Sequence, residues 1–270
     1  MSYLDDMFGL SDKTIIITGG GGVIAGALSE GLLNAGAKVM LWDISKEGLD
    51  AAIQRLGDAT GKGGNVSGLI VDTTDEDSID KAVRETEAKF TAPNGLINAA
   101  GGNRGKCPFL EIDKEQFEFV LKLNLIAGLV APTKVVAKYW IEKNIKGSII
   151  NMTSMSSYIP LSGVWAYDAA KSATLNLTMA SAAEFASSGI RVNAIAPGFF
   201  IGKQNKALLM KEDGELTDRG KDVIRHTPFG RFGDVSELIG AAIYLMNEKA
   251  SGFVTGVSLP VDGGYLVHNI

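Results

Sequence analysis

The sequence predicts the α/β class: one doubly wound, Rossmann-type domain with about seven parallel strands and helices on both faces. Three observations predict it. Short β-branched runs alternate with longer stretches of helical periodicity, and the strand runs are almost continuously apolar, as strands covered on both faces are. Across 270 residues no change of composition and no Pro/Gly/Ser-rich linker marks a boundary, so residues 1–270 are expected to form a single domain. With 46% apolar and 21% charged residues, the chain has ample material for a large core.

Thr14 to Thr18 reads as the first buried strand, Val23 to Ala35 as the helix after it, and Lys38 to Asp43 as the second strand. Lys46 to Leu56 is a helical pattern and Val66 to Val71 an extended one. Asp75 to Phe90 is a helix whose aspartate-rich start suits the positive end of a helix dipole. Gly95 to Ala99 is the fourth strand. Asp113 to Asn144 has helical periodicity around a bend near Asn124, Gly147 to Thr153 is an isoleucine-rich strand, and Trp165 to Ala186 is a long alanine-rich helix. A sixth strand over Gly189 to Ile195, a helix over Ser236 to Met246 and a short strand over Val257 to Pro260 complete the pattern. The least regular stretch is 198–228, and a loop that long in a compact domain suits a substrate lid.

Charge and composition exclude several functions. Twenty-six basic and 31 acidic residues give a net charge of −5 without any lysine/arginine run, which argues against nucleic acid or an anionic membrane as partner. Cys107 stands alone, and His226 and His268 are far apart in the sequence, so no disulfide and no metal cluster are expected. Met1 to Leu10 carries two aspartates and no apolar signal-peptide core, and no uninterrupted apolar run is long enough to span a bilayer; the expected location is the cytoplasm.

Chemistry is concentrated at two places. Behind the first strand, Thr18-Gly19-Gly20-Gly21-Gly22, followed by Val23 and Ile24, forms a turn whose backbone N–H groups can approach a pyrophosphate at a helix N-terminus. A glycine cluster alone equally suits a tight turn without ligand. Asp43 ends the second strand 24 residues after Gly19, where a carboxylate can accept from ribose hydroxyls and repel a 2′-phosphate. That favours NAD over NADP, with Lys46 close by as the opposing consideration. Asp43 by itself equally suits a strand-end or N-cap carboxylate.

At the second place, Tyr167 and Lys171 lie four residues apart, with Ser154 thirteen residues upstream. On one helix this spacing brings their Cβ atoms within roughly 5–6 Å. A phenol titrates near ~10 and needs a neighbouring positive charge to work near neutral pH. An ammonium about 4 Å away at an effective dielectric of about 20 supplies roughly 4 kcal/mol before desolvation. Singly, Tyr167, Lys171, Ser154 and Asn124 read as a half-buried aromatic, a solvated lysine, a turn hydroxyl and a helix-bend residue. Jointly they point to carbonyl/alcohol redox chemistry.

In that order the residues resemble the short-chain dehydrogenase/reductase family, from about Ser11 to Tyr265. The resemblance rests on Thr18-Gly19, the strand end Asn98-Ala99-Ala100-Gly101, Asn124, Ser154, Tyr167-x-x-x-Lys171 and Pro197-Gly198. It implies hydride transfer between a nicotinamide and a carbonyl or alcohol carbon, with Tyr167 as general acid in reduction and general base in oxidation. It further implies that Lys171 holds the nicotinamide ribose, Ser154 polarises the substrate oxygen and Asn124 holds a water relay. Asn98 is then expected on the adenosine side, Asp72 and Thr73 at the adenine, Pro197 and Gly198 along the cofactor, and a homotetramer or homodimer as the assembly. Asp72 alone equally suits a helix cap. Val23 and Ala25 replace two glycines of the family's turn, Ala99 an asparagine and Gly202 a threonine, changes expected to shift or weaken cofactor contacts without altering the reaction.

Within the family, the runs Asn98 to Asn103, Ala196 to Phe200 with Gln204-Asn205, and His226-Thr227-Pro228 with Gly230 to Gly233 resemble the D-mannonate oxidoreductase (fructuronate reductase) subgroup. This implies a sugar-acid substrate whose carboxylate needs a counter-charge, for which Arg104, Lys203, Gln204 and Asn205 are the candidates, although each also reads as a solvated loop residue. Gluconate 5-dehydrogenase-like, other polyol and 3-oxoacyl reductase activities stay open, as does a non-catalytic dinucleotide sensor. A carrier-protein substrate calls for a basic patch that the sequence lacks, and a sensor needs no proton donor.

Overall fold

The computed structural model describes residues 2–202 and 206–268, so Lys203, Gln204 and Asn205 lie outside the described residues. Its strands are β1 (Thr14–Thr18), β2 (Lys38–Asp43), β3 (Val66–Ile70), β4 (Gly95–Asn98), β5 (Ser148–Met152), β6 (Arg191–Pro197) and β7 (Ser258–Val261). They form one sheet in the order β3-β2-β1-β4-β5-β6-β7, with every neighbouring pair parallel. The order reverses between β1 and β4, and such a switch point opens a crevice beyond the carboxyl ends of the strands.

The helices are α1 (Tyr3–Phe8), α2 (Val23–Asn34), α3 (Lys46–Thr60), α4 (Glu76–Lys89), α5 (Lys114–Leu121), α6 (Ala131–Glu142), α7 (Trp165–Phe185), α8 (Lys206–Leu209), α9 (Asp218–His226), α10 (Ile239–Met246) and α11 (Glu248–Ser251). Why they cover both faces is visible in β1, which is buried throughout. Successive side chains of a strand point to opposite faces. Ile15 and Ile17 accordingly join Val39, Leu41 and Ile97 against Leu28, Leu32 and Leu245, whereas Ile16 joins Met40, Trp42 and Leu96 against Ile79, Val83, Val136 and Trp140. One strand therefore anchors two cores through Ile15, Ile16 and Ile17, where a polar side chain would be buried in an apolar cluster.

The expected bend near Asn124 is a widened turn. Between α5 and α6 the segment Lys122–Val130 is π-helical, and Asn124 Nδ2 donates to Val120 O at 2.8 Å, taking the carbonyl a helical N–H would have taken. The continuous helix Lys114–Glu142, 29 residues, has the length and apolarity of a membrane span, but half of its most apolar window is buried inside the protein. It is a core helix: Val136, Tyr139 and Trp140 pack into the second cluster.

Some expectations need correction. Segment 198–228 is more regular than its polarity suggested, since it contains α8 and α9; Thr217 caps α9 through Gly220 N at 3.0 Å, and Arg225 and His226 sit at the negative end of its dipole. The N-terminal residues form α1, capped reciprocally by Ser2 and Asp5 and joined to α11 by the Lys249–Asp6 ion pair. His226 and His268, distant in sequence, meet edge to face with ring centroids 5.5 Å apart. Among the described residues no three His, Cys, Asp or Glu side chains gather to hold a metal.

Candidate active site

The glycine turn is built by close backbone approaches. Gly19 has φ +67°, and a Cβ there would stand 2.9 Å from Ala100 Cα; one on Gly20 would stand 2.6 Å from Leu41 Cβ. Thr18 is buried, and its Oγ1 accepts from Ala99 N at 3.1 Å and Ala100 N at 3.0 Å. It therefore ties the end of β1 to the exit of β4. Gly22 begins α2 without a side-chain cap, which leaves the first-turn amides around Val23 and Ile24 available to an anion. At the altered glycine positions, Ala25 lies in the core, and the close approach has moved to Gly26, over which the Arg55 guanidinium lies.

Asp43 faces this turn from the end of β2. Its Oδ2 accepts from Gly21 N and its Oδ1 from Ser45 N, each at 2.9 Å. A carboxylate offers about four lone-pair sites, so both oxygens keep capacity for ribose hydroxyls. Lys46 is engaged with Asp50 at 2.5 Å on the exposed side of α3. These residues fit an adenosine diphosphate group.

The remaining cofactor candidates divide. Asp72 Oδ1 accepts from Thr74 N and Thr74 Oγ1, both at 2.8 Å, and these bonds hold its carboxyl below the usual range. The cap of α4 is Asp75, not Asp72. Thr73 is buried beside it. Asn98 turns inward: Nδ2 donates to Thr133 Oγ1 at 2.9 Å and Asn151 Oδ1 at 2.8 Å, and Asn151 passes the chain on to Thr178. Its amide nitrogen braces β4 against β5 instead of being free for the adenosine side. Gly101 has φ +157°; a Cβ there would stand 2.7 Å from Asn124 Oδ1 and 3.7 Å from Lys171 Nζ. Gly198, after Pro197, donates to Val261 O at 2.9 Å, and a Cβ on it would stand 2.6 Å from Asp262 Cα.

The structure brings the four predicted catalytic residues to this same edge. Asn124 Oδ1 accepts from Gly102 N at 3.0 Å while Nδ2 donates to Gly102 O at 2.7 Å, clamping the loop after β4. Lys171 Nζ donates to Met152 O at 2.7 Å, a carbonyl at the end of β5 that sequence reasoning did not single out, and lies 5.6 Å from the centroid of the Tyr167 ring. Burial lowers the Lys171 ammonium from its ordinary 10.5 to about 8. Burial also pushes the Tyr167 phenol up, while the Ser154 hydroxyl pulls it back and the charge of Asp168 adds to the rise. Ser154 Oγ is itself held by Ser156 N at 3.2 Å, and Ser157 Oγ donates to Lys171 O at 2.7 Å, so the turn carrying Ser154 is stitched to α7. A phenol, a hydroxyl and an ammonium converge where a carbonyl oxygen can be polarised and protonated.

Asp168 was not anticipated. It is buried, neither carboxylate oxygen has a good hydrogen-bond partner, and burial raises its pKa against weaker help from Leu161 N–H and the Ser156 hydroxyl. A carboxyl raised on folding is penalised above its folded pKa and relieved below the unfolded one. Asp168→Asn should therefore raise Tm at pH 7, by roughly 2–4 °C for each kcal/mol recovered, and raise it less at pH 4. Thermal unfolding at the two pH values checks this; an equal or lower Tm at both contradicts it.

Of the substrate candidates, Arg104 is exposed and stacks on Phe119, with Cζ 4.3 Å from the ring centroid.

Comparisons place this geometry among known proteins. The family model described as enoyl-(acyl carrier protein) reductase matches residues 21–266. The uncharacterized oxidoreductase UxuB of Bacillus subtilis is 37% identical over 274 residues, spanning 96% of this chain and 97% of that protein. The 5-keto-D-gluconate 5-reductase of Escherichia coli is 35% identical over 264 residues, spanning 98% and 99%. A crystal structure of a candidate D-mannonate oxidoreductase from Haemophilus influenzae with bound NAD matches with TM-score 0.89 and 36% identity, covering 98% of this chain and 99% of that one. A gluconate 5-dehydrogenase from Burkholderia cenocepacia, in complex with NADP and tartrate, matches with TM-score 0.88 and 32% identity, covering 99% and 100%.

Proposed function

The chain belongs to the short-chain dehydrogenase/reductase family as an NAD(P)-dependent oxidoreductase, and from that premise we propose that it interconverts the ketone and secondary alcohol of a sugar acid, D-fructuronate and D-mannonate, with NAD as preferred cofactor. The observation that carries the reading is the convergence of Tyr167, Lys171, Ser154 and Asn124 beside the β1/β4 crevice. The acid-sugar choice is supported by relatives and structural neighbours named for keto-sugar acids and by an arginine near the site.

The bound nicotinamide supplies or accepts the hydride at the substrate carbon. In reduction Tyr167 donates its proton to the carbonyl oxygen as negative charge develops there, and Ser154 Oγ stabilises the same oxygen. Lys171, anchored on Met152 O with its Nζ 5.6 Å from the Tyr167 ring centroid, places a positive charge beside the phenol, and a nearby opposite charge favours the ionised form. Asn124 holds the Gly102 loop and sets the floor of the site. In oxidation the same groups run in reverse, with Tyr167 as base. The segment holding α8 and α9 is the one assigned to the substrate side. Association as a homotetramer or homodimer is supported by the exposed apolar side chains of Phe119, Ile126, Ile141 and Met179 on the long helices.

Asp43 tests the cofactor choice. Asp43→Ala removes an acceptor of charge-assisted hydrogen bonds worth about 1.5–3 kcal/mol, so KM for NADH should rise about 10–100-fold, while KM for NADPH changes less or falls. Steady-state kinetics with both cofactors check it. Equal wild-type efficiency with NADH and NADPH contradicts the preference.

A further inference from the structure

The loop after β4 is pinned beside the start of α7. Cys107 N donates to Gly163 O at 3.2 Å, Trp165 Nε1 to Cys107 O at 3.0 Å, and the Phe109 and Trp165 rings meet edge to face with centroids 5.2 Å apart. Between these contacts lies Lys106. Gly163 has φ +77°, and a Cβ on it would stand 2.8 Å from Lys106 Cγ and 3.0 Å from Lys106 Cε. The missing side chain at 163 is what lets the lysine stem lie across the backbone, four residues before Tyr167.

Arg104 approaches from the other side of Gly105, which turns at φ +79°. Both cations line one cleft with Asn103, Gln116, Trp165 and Ala166, the last being the neighbour of Tyr167. Among the described residues neither has an ion-pair partner, and they share this one cleft wall. Asp113, the acid of the cleft, spends its Oδ1 on Gln116 N at 2.7 Å, capping α5. In a chain of net charge −5, two cations and one helix-capping carboxylate on this cleft wall leave a local positive excess that favours an anion.

We infer that Lys106 is the specificity-determining cation of this site, pairing with the carboxylate of the substrate while Arg104, held over the Phe119 ring, offers its N–H groups as the second donor. The inference rests on the sugar-acid reading and adds to it a residue and a fixed direction: the carboxylate points towards the Gly163 side of Tyr167. Lysine suits this seat because its stem packs on backbone and its head pairs as a point charge.

The test compares wild type, Lys106→Met and Lys106→Arg with fructuronate or 5-ketogluconate and with the neutral ketose fructose, using NADH. Loss of a charge-assisted contact should raise KM for the keto-acid about 10–100-fold in Lys106→Met, with kcat reduced far less, and Lys106→Arg should recover most of the loss. Added salt should weaken wild-type kcat/KM for the acid and do so less in Lys106→Met. If the wild type prefers keto-acids and Lys106→Met leaves their KM unchanged, the assignment of Lys106 is overturned and the sugar-acid reading stands. If the wild type handles fructose as well as the acids, the sugar-acid reading fails and the inference falls with it.

Discussion

Replacing Tyr167 with phenylalanine lowers turnover in both directions by about 10²–10⁴-fold and leaves dinucleotide binding nearly as in the wild type. The ring is retained, so the half-buried space it fills between α7 and the Ser154 turn is kept. What is lost is the phenolic proton, and Ser154 Oγ, a far weaker acid held by Ser156 N, does not replace it. Steady-state rates paired with a fluorescence titration of NADH separate the two effects. Wild-type-like rates would remove Tyr167 from the acid–base role, and lost NADH binding would make its role structural.

Lys171→Met is expected to do two things at once: abolish activity and stabilise the fold. Burial holds the ammonium down from 10.5 to about 8. Below about pH 8 both the folded and the unfolded chain carry the charge, so the folded state bears the full penalty, roughly 3 kcal/mol at 1.36 kcal/mol per pKa unit. Between pH 8 and the unfolded value the folded state sheds its proton and the penalty fades. Methionine fills the space without charge, at the cost of the bond to Met152 O, about 1 kcal/mol. Tm should therefore rise by several degrees at pH 7, with the gain shrinking toward pH 10, while turnover falls at least ~100-fold. Thermal unfolding at both pH values and an activity assay check it. A variant that is inactive and less stable at pH 7 would show that Lys171 holds the fold rather than bearing a cost for function.

The sheet was legible because its signals are local. Thr14 to Thr18 announces a strand buried on both faces by composition alone, and the βα rhythm that follows leaves few topologies. Tyr167 and Lys171 were legible for the same reason: helical spacing alone brings them together. What escaped depends on contacts across the chain. The hydroxyl of Thr18 reaches residues 81 and 82 positions away, and Asn98 joins Asn151 across 53; nothing near either residue says that its side chain faces inward. The turn at Asn124 reads as a bend, but its opening into a π-helical segment depends on Asn124 competing for Val120 O while bound to the Gly102 loop. Helix α9 had its signs in Thr217, Arg225 and His226, outweighed by the polar run before it. The sequence singles out Arg104 and not Lys106, whose lie across Gly163 exists only in the folded chain.

The most direct test is the initial rate of NADH oxidation with fructuronate, 5-ketogluconate, tagaturonate, fructose and an acetoacetyl thioester under one set of conditions. Fast turnover with fructuronate, slower turnover with the other keto-acids, and little with fructose or the thioester is the predicted result. Tight NADH binding without turnover of any keto-acid, or turnover led by the thioester, would contradict it.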